Sequence, residues 1–235
     1  MSSAEPSPAG PTYDPSADLG PSLDEVAVAT DRLLATVDRL TDDDVRAPSG
    51  LPGWTRAHVL THLARNADAL GNLAWWARTG EERDMYPGGP SAREEAIEAG
   101  AGRRQGDLRL DLNESAERLL EQFADFPAEG LAREVRSGRG GTWLGWELPL
   151  MRLREVEIHH VDLGLPGFTF DDWPVEYVRE ELRRQVMVAA SRSPMGVGGT
   201  RGLPEGALAM PEARRLAWLI GRLVVPDLPT PPPFP

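Results

Sequence analysis

The sequence has no cysteine and no lysine, so all 25 of its basic residues are arginine. The first absence excludes disulfides, thiolate metal sites and a thiol nucleophile carried by the protein itself. The second excludes Schiff-base chemistry on a lysine. Histidine is scarce too, with 4 in 235 residues, and aromatic residues make up only 6%. There is no run of about 18 apolar residues, so no membrane span is expected. The N-terminus, Met1-Ser2-Ser3-Ala4-Glu5-Pro6, lacks the basic and apolar regions of a signal peptide, and the chain reads as cytoplasmic.

What is abundant is acid, glycine and proline. The net charge is −12 and the sequence pI about 4.8, which argues against a protein that tracks nucleic-acid phosphates. With 24 glycines and 22 prolines, many of them near the ends, the 40% hydrophobic content still suffices for a core in one or two domains.

Residues 1–20 are rich in Pro, Ser, Gly and Asp without periodicity and read as a disordered tail. Ser22 and Glu25 have the spacing of a capping box, and Val26, Ala29, Leu33, Val37 and Leu40 follow as a helical stripe. A short helix is expected after Thr41, and a long one from an N-cap at Thr55 to about Arg78, stopped by Gly80. Ser91 and Glu94 suggest another capping box opening a helical stretch to about Phe126, interrupted by Gly100, Gly102 and Gly106. After strand-like fragments near Ala132–Arg136, Glu147–Leu163 reads as the fourth helix. Residues 21–166 therefore fit a four-helix bundle with one long crossover. Residues 167–235 fit a smaller α/β domain: a helix capped by Asp172, short strands near Ala207 and Leu223 around a helix at Pro211–Gly221, and an extended proline-rich tail.

The histidines fall in two clusters, His58 with His62 and His159 with His160. On helices, His58 and His62, and likewise Glu155 and His159, lie four residues apart and share a face. Two such helices can hold a divalent metal through His62, Glu155 and His159, leaving a position open for water or substrate. Zinc accepts this donor set, and two His with one carboxylate also make the facial triad of non-haem iron. The competing reading makes His58 and His62 a solvated face and His159 a core histidine, since both spacings are common by chance. His58 is a candidate fourth ligand or pocket residue, and Asp162 a candidate orienter of His159. Glu157 is expected in solvent, His160 in a structural role, and the tryptophans as core or pocket wall.

The segment Leu51-Pro52-Gly53-Trp54-Thr55-Arg56-Ala57-His58-Val59-Leu60-Thr61-His62-Leu63-Ala64-Arg65-Asn66 resembles the metal-binding helix of mycothiol-dependent maleylpyruvate isomerases. Met151–Leu163 is similar to that family's E-x3-H segment, and the resemblance covers most of 22–165. It implies a mainly α protein, a DinB-like four-helix bundle with a small α/β C-terminal domain, and His62, Glu155 and His159 as metal ligands. It also implies mycothiol as a thiol cofactor beside zinc or another divalent metal. The metal-held thiolate would add to the cis double bond of maleylpyruvate, and rotation with expulsion of the thiol would give fumarylpyruvate. Gly221-Arg222 looks like the family's functional Gly-Arg pair, with Arg222 as catalytic candidate. Arg222, with Arg78 or Arg154, could clamp substrate carboxylates. The alternative within this resemblance is a mycothiol S-transferase joining the thiol to an electrophile. A non-catalytic metal-binding module is a further alternative. The expected partners are a small substrate and the thiol, with no nucleic acid or membrane, on a monomer or homodimer.

Overall fold

Prolines, glycines and short polar side chains set the helix starts. Helix α1 (Gly20–Val37) begins two residues ahead of the expected cap. Pro21 fits its first turn, and the Asp18 carboxylate accepts from Gly20 N at 2.8 Å. Ser22 is thereby inside the helix and buried. Thr41 caps α2 (Asp42–Arg46) through a capping box with Asp44. Helix α3 (Arg56–Thr79) runs from Thr55 to Gly80, whose φ of 81° is the left-handed stop that glycine adopts without strain. The long stretch expected from Ser91 is two helices, α4 (Gly89–Ala101) and α5 (Gln105–Ala124). Helix α4 starts at the Gly88-Gly89-Pro90 turn, and the chain breaks at Gly102, which C-caps it.

The structure, a computed structural model, describes residues 18–137, 141–191 and 203–230. The expected tail over residues 1–17, the Gly/Pro-rich span 192–202 and residues 231–235 lie outside the described residues. Contacts divide the chain into two units, Met1–Pro48 with Gly53–Val156, and Ser49–Pro52 with Glu157–Pro235.

In the first unit α3 packs against α4 and α5, and α5 against α1. The core gathers Leu70, Leu73, Ala74 and Ala77 of α3 with Leu119 and Phe123 of α5 and with Val135 and Leu148. Each large side chain buried this way contributes on the order of 1.5–3 kcal/mol. After the short helix α6 (Ala128–Leu131), a two-stranded antiparallel ribbon pairs β1 (Glu134–Arg136) with β2 (Thr142–Leu144), Val135 facing Trp143. A 3-10 turn at Gly145–Glu147 leads into α7 (Leu148–Asp162).

In the second unit α8 (Val175–Ser191) packs against α10 (Glu212–Leu219). Asp172 does not cap α8; with Thr169 it forms the capping box of a 3-10 turn at Phe170–Asp172. Neither short strand expected here is present among the described residues. Residues Glu205–Leu208 form a helical turn, α9, and Arg215 donates to the carbonyls of Ala207, Leu208 and Met210 at 2.9, 2.8 and 3.0 Å. These bonds satisfy the carbonyls that end a helix, and leave little gain in extending them as a strand. Leu223 is likewise held: Arg222 N and Leu223 N both return to Ala217 O around Gly221, whose φ is 74°. Among the described residues no helix is long and apolar enough to cross a membrane.

Gly145 sits where the ribbon meets α6, and a Cβ there would lie 2.1 Å from Gly130 O. Backbone cannot yield as a side chain can. Gly145→Ala is expected to lower stability by about 2 kcal/mol or more, read as a fall in the urea midpoint at unchanged slope.

Candidate metal centre

The N-terminal turn of α3 aims the first histidines. Thr55 caps the helix by accepting from His58 N, and the His58 ring turns back onto Thr55, its Nδ1 lying 2.7 Å from Oγ1 and 3.2 Å from the backbone N. Its Nε2 is 3.4 Å from Glu98. His58 is thus engaged at the cap, and it is not among the residues whose ligand atoms converge. One turn further along, His62 is buried against Trp54, with ring centroids 5.7 Å apart. Its Nε2 lies 3.0 Å from Oε2 of Glu155, and its Nδ1 lies 3.1 Å from Nη2 of Arg93 on α4.

Glu155 and His159 sit one turn apart on α7, which runs unbroken through the point where the units divide. Ligand atoms of His62, Glu155 and His159 all lie within 4.8 Å of one another. Two ligands at about 2.0–2.1 Å from one zinc ion lie roughly 3.0–3.4 Å apart at ordinary angles, so the His62–Glu155 separation already suits a shared cation. Two imidazoles and one carboxylate are a donor set that can hold a divalent metal.

Beneath these ligands lies Arg152, which is fully buried. Its Nη1 donates to Leu63 O at 2.8 Å and to Asn66 Oδ1 at 2.9 Å. It thereby ties α7, one turn before Glu155, to α3 just after His62. Burial pushes the guanidinium down to about 10, while the negative charges of Glu155 and Asp68 raise it. It therefore stays charged at neutral pH. Its Nε and Nη2 have no hydrogen-bond partner among the described residues, so those two carboxylates are its compensation.

At the C-terminal end of α7, His159 Nδ1 lies 2.8 Å from Oδ2 of Asp162. Asp162 in turn accepts from Arg222, Nε to Oδ1 at 2.9 Å and Nη2 to Oδ2 at 2.8 Å. Burial raises the Asp162 pKa, but the hydrogen bonds from His159 and Arg222 outweigh it and hold the carboxyl below its ordinary value. The paired edge of Arg222 expected to clamp a substrate lies on this carboxylate. His160 stacks on Phe168, centroids 3.8 Å apart, as a packing residue. Glu157, expected in solvent, is 1% exposed, and Trp173 of the same unit donates to its backbone carbonyl at 3.0 Å. Arg78 pairs with Asp125, and Arg154 is half-buried on α7. Two residues missed in the sequence are Arg93 and Arg152. The second had a signal, being three residues before Glu155 on the same helical face; Arg93 had none.

Removing the Arg152 donor takes the buried partner from Asn66 Oδ1 and the additional bond from Leu63 O, which keeps its intrahelical one. Arg152→Met is expected to cost about 1–3 kcal/mol in denaturant titration. For Asp162→Asn, the loss of the group that fixes His159 is expected to weaken zinc uptake about 10–100-fold in calorimetry, with the melting transition still cooperative.

The sequence matches the family model of the mycothiol maleylpyruvate isomerase N-terminal domain over residues 26–164. Among solved structures the chain is similar to a mycothiol-dependent maleylpyruvate isomerase at 29% identity, with 92% of this chain and 97% of that one covered and a TM-score of 0.79. It is similar to a histidine-to-alanine mutant of a mycothiol-dependent maleylpyruvate isomerase at 28% identity, with the same coverage and a TM-score of 0.80. No functionally curated protein gives a match. The fold is that of the DinB-like isomerases, mainly helical with one small ribbon. With more than half of its length matched and the fold shared nearly end to end, the chain belongs to the mycothiol maleylpyruvate isomerase family.

Proposed function

We propose that this protein is a metal-dependent enzyme that uses mycothiol to isomerise maleylpyruvate to fumarylpyruvate. The observation that carries the reading is the convergence of His62, Glu155 and His159 within 4.8 Å, inside the segment that matches the family. When bound, zinc or a related divalent cation would hold a thiol as thiolate, and mycothiol would bring the thiol that a chain without cysteine lacks.

The chain's own residues supply the rest. His62, Glu155 and His159 hold the cation. Asp162, facing His159 Nδ1, fixes the ring so that Nε2 is left for coordination. Arg222 is the functional residue of the second unit and acts as a positioning residue through Asp162, holding that carboxylate charged and oriented. Trp54 walls the histidine side of the site and limits water there.

The test is turnover of maleylpyruvate by the full chain with zinc and mycothiol supplied together and singly. Fumarylpyruvate with the thiol regenerated is expected only when both are present. His62→Ala is expected to reduce turnover at least about 100-fold while the fold survives, since His62 touches the reacting centre through the metal. A stable thioether product would move the protein to mycothiol S-transfer, and no turnover with both present would end the isomerase reading.

A further inference from the structure

Arg93 points a donor of Nη2 at Nδ1 of His62 across 3.1 Å. A neutral imidazole has a single in-plane lone pair, and this contact uses it. The proton then sits on Nε2, facing Glu155 Oε2 at 3.0 Å. A cation held by His62 takes that lone pair whichever nitrogen it binds. If Nδ1 is the ligand, the cation displaces Arg93 directly. If Nε2 is the ligand, the proton moves to Nδ1 and two donors oppose each other. A metal-bound histidine gives its second N–H to an acceptor, and a guanidinium has none to offer. The two positive charges also repel. The Arg93 contact and a loaded metal exclude one another.

The displaced side chain has no ready counter-ion. Arg65 and Arg103 share Asp111 at 2.6 and 2.8 Å, and Arg78 lies 3.4 Å from Asp125. Among the described residues Arg93 has no carboxylate partner, only His62 and the face of Tyr86, 5.6 Å from its Cζ. It is half-buried on the first turns of α4, next to the ligand it leaves. A guanidinium released there beside a divalent cation makes a bidentate site for a carboxylate.

We infer that Arg93 binds a carboxylate of the substrate at the metal centre, and that metal loading is what frees it to do so. The inference rests on the metal reading above and deepens it, since it selects small organic acids over neutral electrophiles.

The experiment is calorimetry on the full chain, first with zinc alone on metal-free protein, then with maleate on zinc-loaded protein. Arg93→Met is expected to take zinc at least as tightly as the parent, because the opposed contact is gone, and to bind maleate at least tenfold more weakly. Arg93→Lys is expected to recover part of the maleate affinity, and it keeps the test open if the methionine variant does not fold. Weaker zinc uptake in both variants would make Arg93 a support of the metal site and overturn the inference. So would unchanged maleate binding in both, or a zinc-loaded parent that binds no maleate. A parent that takes no zinc overturns the metal reading itself and this inference with it, and is told apart by the first titration alone.

Discussion

A guanidinium that cannot reach water must stay charged and find its acceptors inside the protein, and Arg152 is such a group. Its two hydrogen bonds end on α3 within the turn that follows His62, while its own backbone stands one turn before Glu155. A shift of α7 along α3 by one residue would break both bonds and bury an uncompensated charge, at a cost on the order of 3–5 kcal/mol. The apolar stripes of the two helices are far more tolerant, since leucines and alanines repack with small losses. The separation of His62 from Glu155 therefore inherits its accuracy from a polar contact. Glu155 is also one of the two carboxylates that keep Arg152 charged, so candidate ligand and anchor depend on each other.

The two candidate histidine ligands are wired in opposite senses. His159 faces an acceptor, the Asp162 carboxylate, which Arg222 grips with two hydrogen bonds. With Nδ1 engaged by that carboxylate, Nε2 is the nitrogen of this ring left for a cation. His62 faces a donor, Arg93, and its other nitrogen is already near a carboxylate. One candidate ligand thus meets an acceptor and the other a donor. A cation placed on His62 would change the hydrogen bonding of α3, α4 and α7 together, because Glu155 of α7 itself faces that ring.

Much of the fold was legible because its signals are local. Thr55, Gly80 and Gly164 mark helix ends with residues that suit those backbone conformations, and α3 and α7 lie where periodicity puts them. The Ser22 and Ser91 boxes misled because proline and glycine just upstream let each helix start earlier. The second unit was harder. Short apolar runs such as Leu223-Val224-Val225 carry no period, and their conformation is fixed by carbonyls elsewhere in the chain. At the site, the spacing of Glu155 and His159 and the scarcity of histidine pointed to the three residues that converge. The roles of Arg93 and of Glu157 were not readable, because each depends on which distant element covers it.

The short segment Ser49–Pro52 belongs with the second unit although it is enclosed by the first in sequence. Gly50 N donates to Asp162 O at 2.7 Å, and a side chain on Gly50 would press on that same backbone. The polypeptide accordingly crosses from one unit to the other three times, at 48/49, 52/53 and 156/157. No single scission of the chain can release either unit whole. A nick in the exposed turn before α3 would sever the backbone beside Gly50, whose N–H answers the carbonyl of Asp162 at the end of α7.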